Sequence, residues 1–322
     1  MPSSRLLLSV HIFTFLMGVP LNILAFWTFV RKLWRKATPI DVLLLNLTVS
    51  DLIFLAFLPF KMKEAYDDMR WLLPYSLCPL SGFVFYVTIY NSTLLLTAVS
   101  VERYLGVAFP LRYSAVRRPR YAVWACAAFW VVTSLNLSFV YVVPYYQWRD
   151  NGAPGSAGNG SRPTCYLHFT PEELRFVLPI RLELFLVLFC VPLLISCFCY
   201  INFILILSRL PSIGRRRRLR CIGLALGTLA AFTVCFGPYN ASHVVGYVHH
   251  DSQEWRSTAL LFSTLNACLD PFIFYVSSAA VRSALKSCLR GIAAKLHLLR
   301  CRGALTPRKL SKDERYEEEA PP

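Results

Sequence analysis

The chain of 322 residues has a formal net charge of +16, and 56% of its residues are hydrophobic while only 16% are charged. Ordinary soluble domains are about 45–50% apolar and about 25% charged, so this apolar excess is too large for one globular core and indicates lipid as the solvent. The arginines lie in short clusters between apolar runs, which membrane topology explains better than a nucleic-acid groove does, and we expect no nucleic-acid partner.

Seven apolar runs predict the fold class. A membrane-spanning helix needs roughly 20 mostly apolar residues, and the runs that qualify predict an all-α fold, a seven-transmembrane helix bundle. They cover about 6–30, 40–66, 74–107, 120–144, 173–208, 216–248 and 255–277. Five of them contain an interior proline, which packed transmembrane helices tolerate as a kink. These prolines are Pro20, Pro59, Pro192, Pro238 and Pro271. We therefore expect several bent helices.

Basic clusters in alternate loops predict the orientation of the bundle. The first, third and fifth loops are rich in arginine and lysine, whereas the intervening loops are neutral or acidic. Cytoplasmic loops carry the excess of Lys and Arg, so we expect the odd loops and the C-terminus in the cytoplasm and the N-terminus outside. The first run lacks the cleavage site of a signal peptide and ends in a basic cluster, which predicts a retained first helix.

Two features fall on the predicted outer side. Residues 149–163 are rich in Gly, Ser and Pro, which is typical of a mobile loop, and Asn159-Gly160-Ser161 within them forms a glycosylation acceptor. Cys78 and Cys165 both lie at the predicted outer edge of the membrane, where an oxidising exterior would let them pair.

The C-terminal region divides into two parts beyond a receptor domain of residues 1–278. Residues 279–300 keep apolar residues at helical spacing among basic ones, which predicts an amphipathic helix on the inner membrane surface, with membrane lipid as its partner. Cys288 and Cys301 are either palmitoylated there or ordinary free thiols. Residues 301–322 end in an acidic run and predict a disordered cytoplasmic tail.

Two aspartates inside the predicted membrane need a partner. A charge at bilayer depth costs a few kcal/mol, so Asp51 and Asp270 indicate a functional site. Together with Ser92 and the amides of Asn22 and Asn266, they could surround a small cation such as sodium with oxygen ligands. A water-filled hydrogen-bond network without a metal is the alternative, and no other cofactor is expected.

A set of short motifs on successive helices resembles the rhodopsin-class G protein-coupled receptors. They are Gly18-x-Pro20-x-Asn22, Leu47-x3-Asp51, Glu102-Arg103-Tyr104, Trp130, Pro192 with Tyr200, Cys235-Phe236-Gly237-Pro238 and Asp270-Pro271. The resemblance implies a multi-pass plasma-membrane receptor with a G protein and arrestin as cytoplasmic partners. It also implies that Arg103 changes partners on activation and that a Cys78–Cys165 bridge pins the outer loop to the third helix. Glu102, Phe236 and Phe274 depart from the family's commoner Asp, Trp and Tyr.

Six side chains in the outer half of the predicted bundle point to an anion site. They are two guanidiniums, one imidazole and three phenols: Arg181, Arg256, His243, Tyr86, Tyr90 and Tyr239. Side chains one helical turn apart share a face, which pairs Tyr239 with His243 and Tyr86 with Tyr90. Arginine offers bidentate donors to a carboxylate. The alternative is that either arginine pairs with a nearby glutamate or extends to the membrane surface.

Three longer segments resemble the free fatty acid receptors, particularly their short-chain branch. They are Pro179-Ile-Arg181-Leu-Glu183, the stretch from Phe236 to Tyr247, and Trp255-Arg256-Ser257. The resemblance implies that Arg181, His243 and Arg256 anchor a fatty-acid carboxylate while the three tyrosines line the pocket. Acetate, propionate and butyrate are the implied ligands, with inhibitory and calcium-mobilising G proteins (Gi/o and Gq) as partners.

Other functions remain as alternatives to a short-chain acid receptor. The same fold could recognise another small organic anion, such as a nucleotide or a longer-chain acid, although several phosphates would call for more basic residues. A transporter or channel would need inverted repeats or broken helices, and the sequence shows no internal repeat. An enzyme is the least favoured, because no nucleophile–base pair or metal-ligand spacing is present.

Overall fold

The structure, a computed structural model, describes residues 4–74, 77–116, 118–151, 165, 171–210, 214–251, 255–278 and 281–291. The regular secondary structure of this part is helical. Its helices are α1 (Ser4–Lys36), α2 (Pro39–Tyr66), α3 (Leu77–Ala108), α4 (Pro110–Val116), α5 (Pro119–Asn151), α6 (Pro171–Phe185), α7 (Val191–Arg209), α8 (Arg215–His249) and α9 (Arg256–Ser277), followed by α10 (281–291). A five-residue π-helical turn, Leu186–Cys190, joins α6 to α7.

Seven helical stretches of the described chain are long and apolar enough to cross a membrane, which confirms the predicted bundle. The helices α6 and α7 form one of them, Leu174–Arg209, through the π-helical turn. Large apolar side chains face outward, and Leu16, Trp124 and Leu194 are each at least 65% exposed. Such exposure is costly in water and favourable in lipid.

The helix α3 lies at the centre of the bundle. It contacts α2, α5, α7 and α8, while α1 packs against α2 and α9 at the periphery. In its most apolar stretch 72% of the residues are buried, against 28% for α1. Because α3 touches most of the other helices, side chains on it can connect a site at one end of the bundle with the other end.

At two of the interior prolines, a polar side chain from a neighbouring helix bonds the carbonyl oxygen that the proline leaves without a donor. A proline cannot donate to the carbonyl four residues earlier, which leaves the Leu188 oxygen free before Pro192 and the Ala267 oxygen free before Pro271. Thr93 on α3 donates to Leu188 at 3.0 Å, and the Asn22 amide on α1 donates to Ala267 at 2.8 Å. The π-helical turn ends directly before Val191 and Pro192, where the regular ladder is interrupted.

The short helix α4 was not predicted from the sequence. It has seven residues and includes Arg112, so neither its length nor its composition resembles a membrane span. Pro110 is its first residue, the position at which the missing N–H of proline costs no hydrogen bond. Its Tyr113 donates a hydrogen bond to the carboxylate of Glu102 on α3, which anchors the helix to the end of α3.

The predicted disulfide is present. Cys78, in the first turn of α3, is bonded to Cys165, and both pack with Trp71 in a buried cluster. Below, the outer end of the bundle means the end that carries this disulfide. Asn159, Cys301, residues 292–300 and the tail 301–322 lie outside the described residues. The helix α10 falls within the predicted amphipathic segment, and the membrane-surface placement and the domain boundaries remain predictions.

Two glycines of α8 predict opposite effects on stability. A Cβ added to Gly246 would lie 2.9 Å from the Asp251 carbonyl oxygen, whereas one added to Gly227 would meet nothing within 4 Å. We expect Gly246→Ala to lower the melting temperature in detergent, because overpacking costs about 1–3 kcal/mol. Gly227→Ala should raise it, since alanine favours a helix by up to about 1 kcal/mol. Equal shifts in both variants would contradict the packing at Gly246.

Candidate functional site

The structure brings the six predicted side chains together at the outer end of the bundle. Four helices supply them, and all six lie on the inner faces or entry turns of those helices. Tyr86 and Tyr90 come from α3, Arg181 from α6, Tyr239 and His243 from α8, and Arg256 from the first position of α9. Arg181, Tyr90, Tyr239 and His243 are buried, and Tyr86 and Arg256 are half-buried.

Tyr239 organises one half of the cluster. Its hydroxyl accepts a hydrogen bond from Nη2 of Arg256 at 2.6 Å, and the Arg256 guanidinium carbon lies 5.2 Å from the centre of its ring. Tyr86 stacks on the same ring with centroids 5.6 Å apart and planes 13° apart. In the described residues this is the one hydrogen bond of Arg256, so its other N–H groups remain available to an anion.

His243 organises the other half. Its ring meets Tyr239 edge-on at 4.7 Å between centroids, as their spacing of one helical turn predicts. Its Nε2 lies 2.9 Å from the Tyr90 hydroxyl, and that hydroxyl also lies 3.3 Å from Oδ1 of Asn240. The amide nitrogen of Asn240 donates to the Phe236 carbonyl at 2.9 Å, which fixes the orientation of the amide.

The two guanidiniums act on the same neighbours. Both Arg181 and Arg256 interact electrostatically with His243, with Tyr90 and with Tyr239. Arg181 is only 4% exposed, so its charge is withdrawn from solvent. A negatively charged group beside both guanidiniums would be attracted by each of them, and more strongly at a buried position than in water. The arrangement is therefore suited to a small negatively charged group.

Apolar side chains surround this polar cluster. Tyr90 and Tyr239 belong to a buried cluster that also contains aliphatic residues of α3, α5, α6, the π-helical turn and α9. Its other buried members are Val87, Leu137, Leu184, Leu188 and Ala259. A ligand with an anionic head and a short alkyl chain would meet complementary surfaces in both parts.

A second polar site lies deeper in the bundle, around the predicted pair Asp51 and Asp270. The two carboxyl groups interact directly, and both residues are buried. A small cavity adjoins Asp51 and is lined by Ser92, Asn266 and Phe236 among others. Two adjacent buried carboxylates need a proton or a cation between them.

The atoms around this pair are oxygens of the kind that sodium prefers. Oδ2 of Asp51, Oδ1 of Asp270 and Oδ1 of Asn266 are buried without a hydrogen-bond partner among the described residues. Ser92 adds a hydroxyl, which lies 3.4 Å from that of Ser50. Carboxylate, amide and hydroxyl oxygens are the ligands that hard cations prefer.

At the opposite end of the bundle, Arg103 connects three helices. Its Nη1 donates to the Tyr200 hydroxyl on α7 at 3.0 Å and lies 3.4 Å from Oγ1 of Thr228 on α8. The adjacent Tyr104 places its ring 5.9 Å from that of Phe198 on α7. A movement of α7 or α8 relative to α3 would therefore change the partners of Arg103.

The sequence did not reveal three polar residues that the structure adds to these sites. They are Asn240 beside Tyr90, Thr228 beside Arg103, and Tyr113 beside Glu102. Asn240 lies three residues before His243 on α8, so helical spacing places it near the same face. Nothing in the local sequence marks Thr228 or Tyr113.

The comparison with known proteins agrees with the class that the fold and these sites define, a seven-helix membrane receptor. The pattern of the 7 transmembrane receptor (rhodopsin family) matches residues 21–274. Free fatty acid receptor 3 of Mus musculus is 51% identical over 274 residues, which cover 85% of this chain and 83% of that protein. Free fatty acid receptor 3 of Homo sapiens is 48% identical over 88% of this chain and 79% of that protein.

A related group of proteins gives slightly lower identity. Free fatty acid receptor 2 of Mus musculus is 44% identical over 87% of this chain and 84% of that protein. The chain thus belongs to the rhodopsin family of seven-transmembrane receptors and, within it, to the free fatty acid receptors. It is a multi-pass membrane receptor and not an enzyme.

Proposed function

We propose that this receptor is activated by extracellular short-chain fatty acids, namely acetate, propionate and butyrate, and signals through inhibitory and calcium-mobilising G proteins (Gi/o and Gq). The convergence of Arg181 and Arg256 on His243 and the tyrosines is the observation that carries the proposal. The names of the relatives point to fatty acids in general as the ligand class. The outer end faces the exterior in this proposal, and the end that carries Arg103 faces the G protein and arrestin.

The chemistry of the outer cluster favours a carboxylate. A guanidinium binds a carboxylate through two parallel N–H···O bonds, and opposite charges about 4 Å apart attract by roughly 4 kcal/mol at an effective dielectric near 20. Such an interaction is needed for a ligand as small as acetate, whose alkyl part buries too little area to bind by itself. The Tyr239 hydroxyl adds a donor once Arg256 turns to the ligand.

The packing of the cluster favours a short chain. Tyr86 stacks directly on Tyr239, and Tyr90 lies 1% exposed among buried aliphatic residues. A nucleotide would need several more cations for its phosphates, and a long alkyl chain would have to displace the tyrosine stack. Two guanidiniums are sufficient to hold one carboxylate.

A panel of straight-chain acids from two to twelve carbons tests this proposal. We expect acids of two to four carbons to lower forskolin-stimulated cAMP in transfected cells at saturating doses. The potency should fall for acids whose alkyl chain is long enough to displace Tyr86 from its stack on Tyr239. Untransfected cells provide the control. A potency that rises steadily to twelve carbons would favour a long-chain receptor, and no response to any acid would refute the carboxylate ligand.

We further propose that Asp51 and Ser92 hold a sodium ion together with Asp270 and Asn266. A bound cation neutralises the paired carboxylates, so it should raise the melting temperature of the purified receptor in NaCl relative to choline chloride at the same ionic strength. Asp51→Asn should abolish that difference. Asp68→Asn removes the same charge at an exposed position and should preserve it. A difference that survives Asp51→Asn would exclude sodium from this site.

A further inference from the structure

The two ring nitrogens of His243 have different environments. Nε2 lies 2.9 Å from the Tyr90 hydroxyl, whereas Nδ1 is buried without a hydrogen-bond partner among the described residues. A neutral imidazole carries one N–H and one lone pair. The position of that single hydrogen therefore decides whether Nδ1 offers a ligand carboxylate a donor or a repelling lone pair.

Tyr90 has one hydroxyl hydrogen and two acceptors for it. Oδ1 of Asn240 lies at 3.3 Å and Nε2 of His243 at 2.9 Å. The Asn240 amide nitrogen is used by the Phe236 carbonyl, so Oδ1 faces Tyr90 and can only accept. When Tyr90 donates to Asn240, His243 must donate from Nε2 to the Tyr90 oxygen, and Nδ1 keeps its lone pair. When Tyr90 donates to His243, Nδ1 carries the hydrogen.

The charges around His243 oppose a simpler role as a third cationic anchor. Arg181 and Arg256 both act on the ring, and the ring is 1% exposed. A further positive charge between two guanidiniums in a buried site would be opposed by Coulomb repulsion and by desolvation. His243 can still bind a carboxylate as a neutral donor, provided that its hydrogen is on Nδ1.

We propose that Tyr90 and Asn240 are positioning residues that set the tautomer of His243 and thereby the affinity for the ligand carboxylate. Asn240 favours the tautomer that repels the ligand, and the bound carboxylate selects the tautomer in which Tyr90 donates to Nε2. The switch releases one proton at Nε2 and takes one up at Nδ1, so it exchanges no net proton. This inference rests on the proposed carboxylate ligand, and it assigns the Tyr90 hydroxyl to His243 rather than to the ligand.

The proposal predicts that neither substitution of a positioning residue lowers the potency. Tyr90→Phe removes two hydrogen bonds from the repelling state, those to Asn240 and from Nε2, and one from the ligand-binding state, so the potency of propionate should be unchanged or higher. Asn240→Ala removes the competing acceptor, so the Tyr90 hydrogen stays on His243 and the potency should rise several-fold. A purely structural role would make both substitutions lower the potency.

The His243→Asn background provides the decisive comparison. The amide nitrogen of asparagine occupies the position of Nδ1 and always carries hydrogens, so this variant offers a donor without the help of Tyr90. We expect His243→Asn to retain part of the response that His243→Ala loses. Within the His243→Asn background, Tyr90→Phe and Asn240→Ala should each change the propionate potency less than about two-fold.

Propionate dose–response curves for these variants, measured at matched surface expression, distinguish the outcomes. An equal loss from Tyr90→Phe in both backgrounds would overturn the proposal, because Tyr90 would then act on the ligand directly. A lower potency of propionate at Asn240→Ala would overturn the proposal as well. If Tyr90→Phe does not reach the cell surface, the result for Asn240→Ala is sufficient to decide. If the wild-type receptor ignores propionate, the proposed function itself fails. A further case is a wild type that responds to propionate while Arg256→Ala does not. In that case, effects of Tyr90→Phe and Asn240→Ala that are the same in the wild-type and His243→Asn backgrounds would refute only the tautomer switch.

Discussion

Substitution of Arg256 by alanine is expected to remove the response to propionate. The guanidinium of Arg256 is held over Tyr239 at the outer cluster, where it supplies one of two positive charges for the ligand. Truncating one partner of a buried charge pair typically costs 2–5 kcal/mol, which corresponds to a loss of potency of at least about 30-fold. The measurement is inhibition of forskolin-stimulated cAMP at equal surface expression.

Two further variants separate the geometry of the guanidinium from its charge. Arg256→Lys keeps the charge but loses the planar fork, so we expect a response intermediate between wild type and Arg256→Ala. Arg175→Ala removes an arginine that is exposed on the same helix as Arg181 and should leave the response unchanged. If Arg175→Ala and Arg256→Ala lowered the potency equally, a specific carboxylate anchor at Arg256 would be untenable.

Removal of the disulfide is expected to have the largest effect on the folded receptor. The bond closes a loop with a sequence separation of 87 residues, for which chain entropy gives about 4–5 kcal/mol as an upper value. Helices already inserted in the membrane restrict the unfolded chain, so the measured cost should be smaller. Cys165→Ala also leaves a void beside Trp71 and Cys78. We expect reduced surface expression and a lower melting temperature.

The double variant Cys78→Ala/Cys165→Ala should resemble either single variant, because each single change already breaks the bond. Cys288→Ala provides the control, since Cys288 is an exposed free cysteine on α10, and it should leave both quantities unchanged. Wild-type stability in the double variant would show that the outer loop needs no covalent attachment to α3.

The membrane spans were predictable because the bilayer imposes its thickness on the sequence. Each span needs about 20 apolar residues, and this requirement is met locally, as in α2 and α8. The π-helical turn at Leu186–Cys190 was not predictable in this way. It lies next to Pro192, and the Leu188 carbonyl within it accepts a hydrogen bond from Thr93 on a different helix.

The outer cluster was predictable only in part. Helical spacing alone placed Tyr239 and His243 on one face, and the structure confirms this contact at 4.7 Å between ring centroids. The role of Asn240 was hidden, because its partner Tyr90 is 150 residues away in the chain. Contacts of this kind are created by the packing of α3 against α8, which no local pattern encodes.

The central claim is that guanidinium groups at the outer end recognise the negative charge of a short carboxylate. The most direct test compares the binding of propionate and of propionamide to the purified receptor by isothermal titration calorimetry. The two ligands have nearly the same shape, and only propionate is an anion. We predict saturable binding of propionate, and none of propionamide at the same concentrations. Equal binding of both ligands would contradict the account, since recognition would then depend on shape rather than on charge.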